Sequence, residues 1–181
     1  MSKILVDTID TRSGTSTLTL GSSNAGTIAL GSGDVQSNFL YPAFEAHSAT
    51  DQTISDNTYT KVTLGTEVLD TDGKFASNRF TPTIAGKYFV YGSARLQTDD
   101  SQMRLGSTAI YKNGSIYAER TIDFRGNNGL QMSVDISTTI DMDSDDYVEL
   151  FAKIYKGGGS NIRIESDSKS TNFGAYRIIG A

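Results

Sequence analysis

The chain has 181 residues, with no cysteine, one histidine, two prolines and eighteen glycines; 37% of it is hydrophobic and its formal charge is -5. That supports one core plus a short appendage, and the missing thiols exclude a disulfide framework and thiolate metal sites. A pI near 4.8 with no basic stripe along the sequence argues against a phosphate-tracking nucleic-acid binder, and no segment approaches the apolar length of a membrane span.

The first ten residues, MSKILVDTID, hold a short apolar triplet followed by acids and lack the basic region and apolar stretch of an export signal. From Gly14 to about Gln36 the composition turns to Gly, Ser, Thr and small aliphatics. Two similar phrases stand there, Thr17-Leu18-Thr19-Leu20-Gly21-Ser22 and Thr27-Ile28-Ala29-Leu30-Gly31-Ser32. Period-two spacing puts Leu18 with Leu20, and Ile28 with Leu30, on one face each. Two lone strands cannot collect the roughly 1.5 to 3 kcal/mol per side chain that burial offers, whereas several chains wound together can. The segment is therefore expected to pack against copies of itself, with a flexible Gly/Ser linker as the alternative.

Beyond Phe39 the strands lengthen. The spacing predicts strands over Tyr59 to Leu64, Lys87 to Leu96, Gln102 to Lys112, Leu130 to Met142, Tyr147 to Tyr155, Asn161 to Glu165 and Phe173 to Ile179. In Leu130 to Met142 the residues Leu130, Met132, Val134, Ile136, Ile140 and Met142 alternate with polar neighbours, which a strand sorts onto opposite faces and a helix would not. Asp72-Gly73, Ala85-Gly86, Asn113-Gly114 and Gly157-Gly158-Gly159 punctuate these runs as turns, since such residues reach positive φ cheaply. The pattern is that of an all-β sandwich or barrel. Asn113-Gly114-Ser115 also matches a glycosylation sequon and is taken as a hairpin turn.

Two strands have apolar residues on both faces. One face of Tyr147 to Tyr155 carries Val148, Leu150, Ala152 and Ile154, and the other mixes Phe151 and Tyr155 with Glu149 and Lys153; Lys87 to Leu96 sets Phe89 and Tyr91 opposite Tyr88 and Val90. A sheet wet on one side has no reason for this, so the second face is expected to be covered, by another layer of the same chain or by a neighbouring subunit.

From Phe44 to Tyr176 the motifs resemble, in order, those of the C1q-like domain, the jelly-roll head related to tumour necrosis factor. They are Phe44-x-Ala46, Tyr59-Thr60-Lys61-Val62, DTDGKF from Asp70, RFTPTIAGKYFV from Arg79, YKNGS from Tyr111, DDYVEL from Asp145 and FGAY from Phe173. The resemblance implies a ten-stranded jelly roll over residues 41–181 that assembles as a homotrimer. Phe151 and Tyr155, on the strand after DDYVEL, would then lie at the interface beside Leu18, Leu20, Ile28 and Leu30. The Gly-X-Y stalk and secretion signal common in vertebrate members are missing here.

In their place, ILVDTIDTRSGTSTLTLG resembles the leader of bacteriophage virion proteins such as small tail fibres and head-attached proteins. This implies an attachment leader (residues 1–12), an intertwined β-rich neck (13–40) and a trimeric head, with assembly in the host cytoplasm and display on the virion surface. Capsid or tail subunits, and a host-surface glycan or protein, would be its partners.

Chemistry is scarce. His47 is the lone histidine and reads as a loop or strand-end residue, which removes a triad or His-rich metal site. Carboxylates at Asp99-Asp100, at Asp70 and Asp72, and at Asp141, Asp143, Asp145 and Asp146 could in principle form a glycoside-cleaving pair; beside turns they read as solvated punctuation, and the expectation is a non-enzyme without cofactor. DTDG is no EF-hand, because Thr81 stands where the twelfth-position Glu belongs. Asp141, Asp143, Asp145 and Asp146 are the weak candidates for a calcium site. The rival readings are a soluble C1q/TNF-like recognition ligand and a polysaccharide depolymerase.

Overall fold

In the computed structural model, residues 42–157, 161–167 and 169–180 are described. The proposed leader and neck, with Leu18, Leu20, Ile28 and Leu30, lie outside them. Among the described residues there is no helix, and the paired strands are antiparallel throughout.

The first sheet is built around the longest strand, β7 (Gly86–Thr98). Its residues alternate between the interior, where Tyr88, Val90, Ala94 and Leu96 are fully buried, and an outer face carrying Phe89, Tyr91 and Arg95. One edge of β7 pairs along almost its whole length with β10 (Gln131–Met142), with Val134 opposite Ala94 and Ile140 opposite Tyr88. The other edge pairs with β13 (Asn172–Gly180) and then β12 (Ile162–Ile164). Outward from these lie β1 (Ala43–His47), β4 (Thr66–Asp70) and the two-residue β2 (Gln52–Thr53).

The second sheet centres on β11 (Val148–Tyr155) and β8 (Leu105–Lys112), flanked by β9 (Ser115–Asp123) on one side. On the other side stand three two-residue strands, β3 (Thr60–Lys61), β5 (Phe75–Ala76) and β6 (Arg79–Phe80). The sheets bury one core between them. Its aromatic centre is Phe44, whose ring stacks on Phe75 at 4.8 Å and Phe80 at 4.5 Å and meets the edge of Phe173 at 5.1 Å.

The sequence-predicted strands recur, with shifts that have local causes. The alternation of β10 holds, with Val134, Ile140 and Met142 buried, but Leu130 falls just outside the strand and is 45% exposed. Tyr59 to Leu64 shrinks to β3: the Val62 amide still bonds the Leu150 carbonyl of β11, but the Leu64 amide turns away to Asn78 Oδ1. Gln102 to Lys112 starts late: Met103 is held by a lone bridge to Gly129 before β8 begins. Among the described residues thirteen strands are present, four of them two-residue segments, where the resemblance implied ten. At Asn113-Gly114 both φ values are positive, 51° and 79°, the conformation of a tight hairpin turn.

Candidate functional site

Three places in the head bear on function: the acidic turn between β10 and β11, and the outer faces of the two sheets.

At the turn a cleft of about 190 Å³ is lined by Gly86, Lys112, Asp141, Met142, Asp143 and Asp146. Lys112 Nζ donates to Asp146 Oδ2 at 2.7 Å and to the Asp141 carbonyl at 2.6 Å, while Lys87 pairs with the Asp141 carboxylate. Asp146 also accepts from Asn113 Nδ2 and from the Asp143 amide. Two ammonium groups thus sit where a cation would go. Among the described residues no group of three or more acid or imidazole side chains is placed to hold a metal. Asp145 is not among the cleft-lining residues. The other carboxylates are tied into loops: Asp70 accepts the Phe75 amide, Asp72 the Thr83 hydroxyl, Asp99 pairs with Arg163 and Asp100 with Lys156. His47 ends β1, its Nδ1 beside the Ser48 carbonyl.

The outer face of the first sheet carries a half-buried aromatic patch. Tyr176 stands opposite Phe89 across the β13–β7 ladder, their ring centroids 5.5 Å apart, and Phe89 stacks on Tyr91 at 6.1 Å. Tyr91 lies flat over Gly174, where an added Cβ would come within 2.4 Å of the ring, and its hydroxyl donates to Glu45 at 2.9 Å. The register surrounds the patch with short side chains, Ser137 opposite Tyr91, Thr139 opposite Phe89 and Ala43 opposite Tyr176. Leu69 and Ile178 are exposed on the neighbouring strands.

The outer face of the second sheet is different. Phe151 stacks on Tyr111 at 3.9 Å, Tyr59 meets Tyr111 edge-on at 6.0 Å, and Lys153 Nζ sits 4.4 Å above the Tyr59 ring. Tyr59 donates to Glu119, which also accepts from Thr121, whose hydroxyl in turn bonds Ser107. Arg104 lies 5.9 Å over Tyr155, and Arg79 3.7 Å over Tyr147. Glu149, read from the sequence as part of a mixed face, is only 4% exposed and is bound by Lys61 at 3.2 Å and Arg79 at 3.0 Å. One face of the half-buried Phe151 is thus covered by Tyr111 of its own chain. The sequence placed Tyr59 in a strand and a motif but gave no sign of this network, because its partners lie 52 and 60 residues away along the chain.

These networks set a pH range for stability. The Tyr59 hydroxyl holds Glu119 below the usual carboxylate range against the effect of its burial, and Thr121 and Lys153 add to this. Burial opposes ionisation of Asp146, but Lys112, the Asp143 amide and Asn113 outweigh it and lower its pKa. A carboxylate that ionises more readily in the folded chain stabilises above its unfolded pKa of about 4, and that contribution is lost as pH falls through the folded value. Burial first, then hydrogen bonds to Glu119 and Glu45, raise Tyr59 and Tyr91. Their contribution is complete below the unfolded tyrosine pKa of about 10 and is lost as pH rises through the higher folded one. The melting temperature is expected to fall on both sides of a plateau from about pH 5 to about pH 9, and the double variant Tyr59→Phe, Tyr91→Phe to flatten the alkaline limb. An alkaline limb unchanged in that variant would contradict the assignment.

The two antiparallel sheets, their order and their shared core define a jelly roll of the C1q/TNF-like kind. Among solved structures, the globular domain of zebrafish complement 1qA protein is similar, with a TM-score of 0.56 and 12% identity over 77% of this chain and 99% of that one. Murine APRIL (0.56, 10%, covering 75% and 97%) and Eiger TNF from S. frugiperda (0.56, 9%, covering 78% and 95%) are similar to the same degree. No protein-family model and no curated protein matches the sequence.

Proposed function

We propose that the chain is a non-enzymatic bacteriophage virion surface protein, a capsid decoration, head fibre or short tail fibre. In this reading residues 1–12 attach it to the particle, residues 13–40 form the neck through Leu18, Leu20, Ile28 and Leu30, and the jelly-roll head is presented outward as a homotrimer. The head binds a host-surface glycan or protein, or clamps capsid or tail subunits. Three copies gain strength from effective concentration where single contacts are weak.

The observation that carries the reading is the patch of Phe89, Tyr91 and Tyr176, large rings set among short side chains on the outer face of the first sheet. A closed three-fold ring needs two different, complementary surfaces on each protomer. The patch supplies one. The edge at β9, where Ile116 and Tyr117 are about half exposed and Tyr117 bonds Thr139 of β10, supplies the other. We place the interface here in preference to Phe151 and Tyr155, because Phe151 already stacks on Tyr111 of its own chain. Native mass spectrometry across a dilution series from micromolar concentration tests it: the expected mass is three chains, and Phe89→Asp with Tyr176→Asp should make the three come apart at a higher concentration than wild type. A folded wild-type monomer would overturn the proposal.

The soluble C1q/TNF-like recognition ligand is equally supported by the fold neighbours. Antibody labelling of purified virions separates the two: label on head or tail supports the virion reading, and its absence the soluble one.

A further inference from the structure

The second sheet's outer face gathers cations that the sequence scatters. Lys61 and Arg79 are consumed by the buried Glu149, and Arg125 by Asp123. Lys153 and Arg104 are held differently. Each rests against a tyrosine ring, Tyr59 and Tyr155 respectively, and neither is in an ion pair among the described residues. A cation against a ring is positioned by the ring's quadrupole yet keeps N–H donors for a ligand. Lys153 and Tyr155 are two residues apart on one strand, so both point to the same face of β11 from backbone positions about 7 Å apart.

We propose that this face binds an anionic glycan, a saccharide chain bearing carboxylates; the inference rests on the reading of the head as a displayed binding module. Charge complementarity selects an acidic ligand, since Lys153 and Arg104, neither within ion-pair distance of a carboxylate among the described residues, stand on one face of a chain whose formal charge is -5. The half-buried rings of Tyr111, Phe151 and Tyr155 offer apolar surface to the C–H faces of pyranose rings, with hydroxyl tips on the two tyrosines. Glu119, Thr121 and Ser107 form a connected set of acceptor and hydroxyl groups on the same face. Of this set Glu119 and Thr121 are exposed and serve sugar hydroxyls, with the buried Ser107 holding Thr121 in place.

Affinity electrophoresis through gels containing polygalacturonate, its methyl-esterified form or neither tests the assignment with the full-length protein. Wild type should be retarded by polygalacturonate, much less by the ester, and less as salt rises. Lys153→Gln with Arg104→Gln, which keeps most of each aliphatic stem, should weaken retardation about tenfold while leaving the melting temperature within a few degrees. Lack of wild-type retardation, equal retardation by the ester, insensitivity to the double substitution, or tighter binding to oligothymidylate would each overturn the face. Native mass of the same preparation keeps the two proposals apart. A trimer that ignores polygalacturonate overturns this face alone, and a monomer that binds it overturns the assembly and leaves the face standing.

Discussion

Phe44→Ala is expected to cost about 3 to 5 kcal/mol of stability, the upper range for a truncated core aromatic. The ring is 1% exposed and holds three others, Phe75 and Phe80 by stacking and Phe173 by its edge. Phe173 belongs to the first sheet and Phe75 and Phe80 to the second, so the substitution opens a cavity where the two sheets meet rather than at one of them. Neighbouring aromatics cannot collapse into the space without leaving their own stacks, which places the cost high in the range. Urea titration at fixed protein concentration measures it, because coupling to assembly makes apparent stability concentration-dependent. A loss under about 1 kcal/mol would mean that this cluster does not hold the sheets together.

The second large effect is expected from adding atoms. Gly92 sits mid-strand in β7, and a Cβ there would come 2.7 Å from Leu150 Cδ1 across the core and 3.2 Å from the Asn172 carbonyl oxygen. Glycine in a strand interior marks a place where something approaches closely, and here it is the opposite sheet. Gly92→Val should cost about 3 kcal/mol through overpacking, since the leucine can swing but the carbonyl is ladder backbone. Gly126→Ala is the matched control: nothing lies within 4 Å of its added Cβ, and the change should stay within about 0.5 kcal/mol. If both variants unfold at the same urea concentration, the close approach at Gly92 is not rigid.

Where one strand face meets the core and the other meets water, the sequence already shows the strand. In β10, Asp135, Ser137 and Asp141 separate the residues that pack inward. Edge strands lose that signal. Thr66 to Leu69 of β4 are all exposed, and Ile116 and Tyr117 of β9 are about half exposed, so neither stretch shows the inward alternation that gives a strand away. The motif order made the C1q/TNF-like fold legible, and the aromatic residues on both faces of β7 and β11 made it legible that something covers them.

Which cover belongs to which face was not legible, because that depends on partners far apart in sequence. Tyr59 reaches Glu119 across the second sheet, while Tyr91 finds Gly174 beneath it on the first. The acidic run from Asp141 to Asp146 shows its own charges and hides the two lysines that neutralise it. Lys87 arrives from β7 and Lys112 from β8. The cation face is hidden in the sequence for the same reason: Arg104 and Lys153 are 49 positions apart and share a face only when Arg104 settles on Tyr155.

Asn113 has a consequence for ageing. Asn-Gly pairs are chemically fragile because the following amide nitrogen can attack the side-chain carbonyl and close a succinimide. Here that side chain is fixed at both ends: its Oδ1 accepts the Tyr147 amide at 3.0 Å and its Nδ2 donates to Asp146 at 2.6 Å. Held away from the attacking nitrogen, this asparagine should resist conversion to isoaspartate as long as the hairpin stays folded, so the bonds that tie the β8–β9 turn to the acidic loop also protect the chain chemically.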